Sequence, residues 1–241
     1  MSDTSASIGV FDLFQQGWDI LKQTWKKMAL AVIVFIAFQV LVQLSDEAVQ
    51  KSQSATLSLL VGLASLVLGI VLQSGMIAFS LRLIREKTAE VSDLFAQKGV
   101  WLNFFIAMLA YEFLVVLGML LLIVPGIYWA AKYSFVQYLV VDKKMSLSDA
   151  FRKSGTMTQG KIMKILGFWF LAILVNFGGL IALGVGLLVT LPTTQLASAL
   201  LYEKLLGEGP AVVPAVTPAP AQPVQTEVPP LSEPPVAPPT A

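Results

Sequence analysis

Residues 120–164 read LLLIVPGIYWAAKYSFVQYLVVDKKMSLSDAFRKSGTMTQGKIMK. An apolar helix ends at Val124, a Pro125-Gly126 turn reverses the chain, and a second apolar segment runs on to Val141. A polar, lysine-rich loop then begins at Asp142. A tight turn without charge at one end and a basic loop at the other mark the two faces of a bilayer.

Composition agrees. Hydrophobic residues make up 56% of the chain and charged ones 13%, against about 25% charged in a soluble protein. The polar surface is too small to cover the chain in water. Cysteine and histidine are both absent, which excludes disulfides, thiolate nucleophiles, Cys- or His-ligated zinc and a Ser-His-Asp triad. A non-enzyme is therefore expected, with no cofactor and no nucleic-acid partner.

Outward from that stretch, six apolar spans are expected, at residues 28–44, 57–81, 101–124, 126–141, 165–182 and from there to about Leu206. The fourth is short, about 24 Å as a helix, against a hydrocarbon core of about 30 Å. Ser65 and Gly69 form a small-xxx-small pair suited to close helix contact. Gly178, Ala182 and Gly186 give either a smooth helix face or, with Gly179 and Gly184, a break between spans. Pro192 is expected to kink the sixth.

Before the spans, residues 1–27 form an N-terminal segment in which Phe11, Phe14, Trp18, Leu21 and Trp25 alternate in steps of three and four. That is an amphipathic helix lying in the headgroup region or covering the bundle from the cytoplasm. No small-residue cleavage site follows, so no signal peptide is expected. After the membrane domain (28–206), residues 207–241 carry eleven of the thirteen prolines. This tail is expected to stay disordered, as a spacer or as a docking segment for a protein partner through Pro220-x-x-Pro223 and Pro235-x-x-Pro238.

With the N-terminus in the cytoplasm, fourteen of the sixteen Lys and Arg fall inside, Lys51 outside and Lys132 within a span. The positive-inside rule therefore places both termini in the cytoplasm. Asp12-Leu13-Phe14, Asp93-Leu94-Phe95 and Asp149-Ala150-Phe151 each open a polar piece on that side. Each precedes a hydrophobic hairpin, which reads as three parallel repeats of interfacial helix plus helical hairpin.

The ordered set Ile123-Val124-Pro125-Gly126-Ile127, Tyr138-Leu139-Val140-Val141-Asp142, Ser148-Asp149-Ala150-Phe151, Ser154-x-x-x-Thr158-x-Gly160 and Gly186-Leu187-Leu188-Val189-Thr190-Leu191-Pro192 with Tyr202 resembles an uncharacterised family of bacterial six-span integral membrane proteins. That family is related to the membrane domain of some glycerophosphodiester phosphodiesterases. Its members often carry an aromatic after the motif serine, where this chain has Gly155. The resemblance implies an all-α fold and the bacterial inner membrane. It implies no catalytic residue.

Three intramembrane polar residues are candidates. Glu112 interrupts the third span, where a carboxylate is costly and is expected to face the bundle or water. It reads as a cation ligand in a translocation path or as an interhelical hydrogen bond to Asn176, Gln39 or Gln73. Lys132, beside Tyr128, Trp129 and Tyr133, points away from Glu112 and is expected to snorkel to the outer interface. Lys143, Lys144, Arg152, Lys153, Thr158 and Lys161 are the candidate lipid-headgroup residues, with Lys164 and Gly160 beside them. The expected role is a scaffold or lipid-interacting factor in envelope maintenance, able to self-associate. The alternative is a small transporter using Glu112, Asn176 and the broken helices around Pro192.

Overall fold

The computed structural model describes residues 9–52, 54–97, 99–181 and 186–208. Among these every regular element is helical: α1 (Val10–Ser52), α2 (Ala55–Glu86), a 3₁₀ turn (Val91–Phe95), α3 (Trp101–Leu121), α4 (Ile123–Tyr133), α5 (Val136–Lys143), α6 (Leu147–Met157), α7 (Ile162–Ile181) and α8 (Leu187–Glu208). The proline-rich tail and the Ala182 and Gly184 positions of the expected break lie outside the described residues.

Helices α1, α2, α3 and α7 are long and apolar enough to cross a membrane. Their large side chains point outward: Leu41, Leu60, Phe113, Leu120 and Ile173 are all exposed. The buried side chains gather instead at the ends that carry the Lys and Arg. Ile77 and Leu81 near the end of α2 cluster with Phe104 of α3, Leu139 and Val140 of α5, and Leu201 and Leu205 of α8, while Leu83 joins a second cluster with Leu21 and Met28 of α1 and Leu196 of α8. A surface more apolar than its own packing is the pattern of a protein solvated by lipid.

The expected boundary after Lys27 lies within helix, and within the expected loop over 45–56 helix α1 continues to Ser52 and α2 begins at Ala55. α1 runs for 43 residues, about 64 Å, and so outreaches a hydrocarbon core of about 30 Å. It bends at Thr24, the one residue within it with non-helical angles (φ −120°, ψ 16°). The Thr24 hydroxyl donates to the Ile20 carbonyl at 2.7 Å, a side-chain bond that competes with the helix ladder. At the other end Ser54 caps α2, its hydroxyl accepting from the Leu57 N–H. Both helices are thus longer than a hydrocarbon core is thick.

Before the bend, α1 buries Leu13, Phe14, Gly17 and Leu21, in contact with α8. The expected aromatic stripe is split. Phe14 and Leu21 join the buried arc, while Phe11, Trp18 and Trp25 lie at its edge, exposed at 70%, 42% and 58%. Lys22 and Lys26 sit over the Trp18 and Trp25 rings, each 5.9 Å from the centroid.

The chain reverses at Leu122, whose extended backbone (φ −164°, ψ 144°) separates α3 from α4, and not at Pro125-Gly126. Pro125 is the third residue of α4, where its missing N–H belongs to the unpaired first turn. Gly118 and Gly126 face each other: a Cβ on Gly118 would lie 2.9 Å from the Gly126 Cα. The expected fourth span is divided at Ser134-Phe135 into α4 and α5, neither able to cross a bilayer alone. Ser134 donates to the Ala131 carbonyl at 3.0 Å. The Lys132 carbonyl, left unpaired where α4 ends, accepts from Ser154 at 3.0 Å and Thr158 at 2.9 Å.

The three polar pieces share a construction. Asp12, Asp93 and Asp149 are each the third residue of their helix or turn. The residue after each (Leu13, Leu94, Ala150) is fully buried. Of the described residues, four have positive φ: Lys87, Gly99, Lys144 and Gly160. Lys87 closes α2 and Lys144 closes α5. Gly99 and Gly160 each stand two residues before the next helix, α3 and α7.

The 3₁₀ turn lies directly on α2, and a Cβ on Gly75 would fall 1.9 Å from the Leu94 carbonyl oxygen. Gly75→Ala should therefore destabilise the protein by about 1–3 kcal/mol, read as a lower melting temperature in detergent with faster proteolysis of the 87–100 connector. Gly62→Ala, where nothing lies within 4 Å, should be neutral or slightly stabilising.

Candidate functional site

The densest polar contacts join the basic ends of three helices. Arg85, in the last turn of α2, forms a bidentate pair with Asp142 of α5, at 2.5 Å through one nitrogen and 2.9 Å through the other. Its Nε donates to Glu203 of α8 at 2.8 Å. Tyr202 of α8 donates its hydroxyl to Asp142 at 3.0 Å, and Lys143 lies 3.3 Å from the same carboxylate. The Asp142 side chain is only 7% exposed. Burial by itself would raise the pKa of this carboxyl, but the Arg85 hydrogen bond and charge, then Tyr202 and Lys143, outweigh it and hold the pKa below its ordinary value. In the sequence Arg85 counts toward the basic side, Asp142 and Tyr202 toward the resemblance, and Lys143 toward the headgroup set. Their spacing along the chain gives no hint that they meet.

A second cluster surrounds α6. Ser146 caps this helix and accepts from the Asp149 N–H, while Arg152 pairs with Asp149 at 2.8 Å. Lys132 lies against α6, where a Cβ on Gly155 would be 3.4 Å from its Cε, and its Nζ is 5.7 Å and 5.5 Å from the Tyr128 and Tyr133 ring centroids. Gly155 thus leaves room for Lys132 and Tyr133 at the position where the resembled family often has an aromatic.

The candidate headgroup residues divide. Lys143, Lys144 and Arg152 are exposed, as is Lys164. Thr158 is fully buried and its hydroxyl is committed to the carbonyls of Lys132 and Ser154, so it holds α6 in place and offers nothing to a headgroup. Lys153 is buried and Lys161 half-buried. The helical period that places Arg152 outside turns Lys153 inward, a distinction invisible without knowing which face of α6 is packed.

Glu112 and Asn176 are not brought together. Glu112 is exposed on the outer surface of α3. Asn176 donates to the Thr194 hydroxyl at 3.2 Å, joining α7 to α8.

A cleft of about 670 Å³ lies between α1, α2, α5 and α8, with Met108 of α3 at its wall. Gln39, Gln73, Gln137 and Gln195 line it among apolar side chains such as Phe38, Ile70 and Met108. Ser65 and Gly69 face it too, so this small pair opens space where a tight helix contact is expected. Neither Glu112 nor Asn176 belongs to its wall.

No family model, curated protein or solved structure matches this chain. Fold and site together define an all-helical protein with four helices able to cross a membrane and an ion-paired polar end.

The Asp142 carboxyl is lower in the folded state than in the unfolded one, so its contribution is complete above about pH 4. It fades as pH falls further, through the lowered folded value. The melting temperature should be flat from about pH 5 to 8 and drop below about 4. Asp142→Asn, which leaves Arg85 without its main partner, should cost about 2–4 kcal/mol at neutral pH and weaken the acid dependence, both measured by thermal unfolding in detergent.

Proposed function

We propose that this chain is a non-enzymatic bacterial inner-membrane protein that engages anionic lipid headgroups at its cytoplasmic face, as a scaffold or lipid-interacting factor of the envelope. The carrying observation is the exposure of Lys143, Lys144, Arg152 and Lys164 around one short helix at the packed end. Near an anionic surface each such cation adds about 1 kcal/mol of attraction. The exposed Trp18 and Trp25 belong to the interfacial belt of the same side.

In this reading the membrane domain has six spans in three units. The spans are α1 beyond its bend, α2, α3, the α4–α5 pair, α7 and α8. The first part of α1, the 3₁₀ turn and α6 open the units. Support comes from the third-position aspartates with a buried residue after each, and from the positive-φ lysine and glycine that frame two of the connectors. The transporter reading lacks comparable support, since Glu112 lies outside the cleft and Asn176 is bonded to Thr194.

Native mass spectrometry of protein taken from mixed vesicles tests the headgroup role. Lys143→Glu with Lys144→Glu should lower retained anionic lipid about tenfold or more, and unchanged retention would sink the proposal. Orientation has its own test, helped by the absence of cysteine. A membrane-impermeant maleimide added to whole cells should label Ser54→Cys and spare Ser148→Cys; the reverse pattern would refute the cytoplasmic assignment.

A further inference from the structure

Among the four glutamines that line the cleft, Gln39 and Gln73 are exposed and Gln137 and Gln195 half-buried. None of the four carboxamides is hydrogen-bonded within the described residues. Gln39 stands twelve residues after Lys27, and Gln73 twelve before Arg85, about 18 Å along each helix from the basic edge. That depth is inside a hydrocarbon core of about 30 Å. An amide left unpaired there is costly, and these four converge on one space instead of dispersing.

The size of the cleft, about 670 Å³, lies within the roughly 300–1,000 Å³ range of ligand sites. Among the described residues its wall contains no Lys, Arg, Asp or Glu. A phosphate or carboxylate would enter without a counter-charge, which disfavours it strongly at this depth. Carboxamides donate and accept equally, and so match hydroxyl and amide groups. Val32, Phe35, Val42, Leu66 and Leu191 offer the rest of the wall to an alkyl chain.

We infer that this cleft binds an uncharged amphiphile, a hydroxyl- or amide-bearing head on an acyl chain, through Gln39, Gln73, Gln137 and Gln195. The site is separate from the connector lysines and does not depend on the headgroup proposal.

The full chain in phosphatidylcholine vesicles, with a trace of diacylglycerol bearing a diazirine in its acyl chain, provides the test. Phosphatidic acid with the same tagged chain runs in parallel. After illumination, peptide mapping should find diacylglycerol label concentrated near Phe35, Val42 and Leu66, above the level at exposed Phe113 and Val116 of α3. Phosphatidic acid should show no such concentration. Gln73→Leu with Gln195→Leu should reduce the cleft label at least about fivefold, the loss expected for one or two net hydrogen bonds. Ser65→Phe, which fills the space without touching a glutamine, should do the same, whereas Lys143→Glu with Lys144→Glu should leave the label intact. Equal labelling by both lipids, labelling no higher than on α3, or label retained in both the leucine and the Ser65→Phe variants would overturn the inference and leave a cleft that holds water.

Discussion

The guanidinium of Arg85 holds the bundle together at one end. It draws in Asp142 and Glu203, and with Tyr202 on the same carboxylate it fastens α2, α5 and α8 to one another. A buried carboxylate with one oxygen uncompensated would oppose folding, but a bidentate arginine and a phenol satisfy Asp142 almost completely. Apolar packing follows the same geography. The buried leucines and phenylalanines lie near this network, and the opposite halves of α1, α2, α3 and α7 turn their side chains outward. Helices in lipid gain little from burying apolar faces against one another, so polar contacts and close backbone approach decide where they meet.

The connectors obey shorter-range rules. A lysine in the left-handed region ends a helix, an aspartate three residues into the next piece favours its positive end, and a left-handed glycine releases the following helix. Arg82 pairs with Asp93 as Arg152 pairs with Asp149. These devices are local, and the burial of Leu94 and Ala150 ties each connector to the rest of the fold.

Reading the sequence recovered what depends on composition and period: helix as the one regular structure among the described residues, and helices long and apolar enough to cross a membrane. It missed features that turn on three-dimensional neighbours. Helix α1 passes the expected end of the first span because Glu47, Ala48 and Lys51 are good helix formers that need no lipid. The reversal at Leu122 escaped notice because Pro-Gly is a strong turn signal, yet proline is equally at home in the first turn of a helix. The site was harder still. Arg85 and Asp142 are far apart in sequence and each looks like an ordinary boundary charge, whereas Glu112, the most conspicuous carboxylate in the sequence, meets none of its expected partners.

The division of the fourth apolar segment links the packed end to the cleft. Hydroxyls of Ser154 and Thr158 hold the Lys132 carbonyl, so the ladder stops at Tyr133 and α5 starts afresh at Val136. That restart lets α5 present two sides at once. Its last residues carry Asp142 to Arg85, while Gln137 and Tyr138, one turn earlier, face the cleft beside Gln195. The same short helix therefore supplies both the partner of Arg85 and part of the cleft wall, so the ionic end and the neutral polar cleft share one two-turn element.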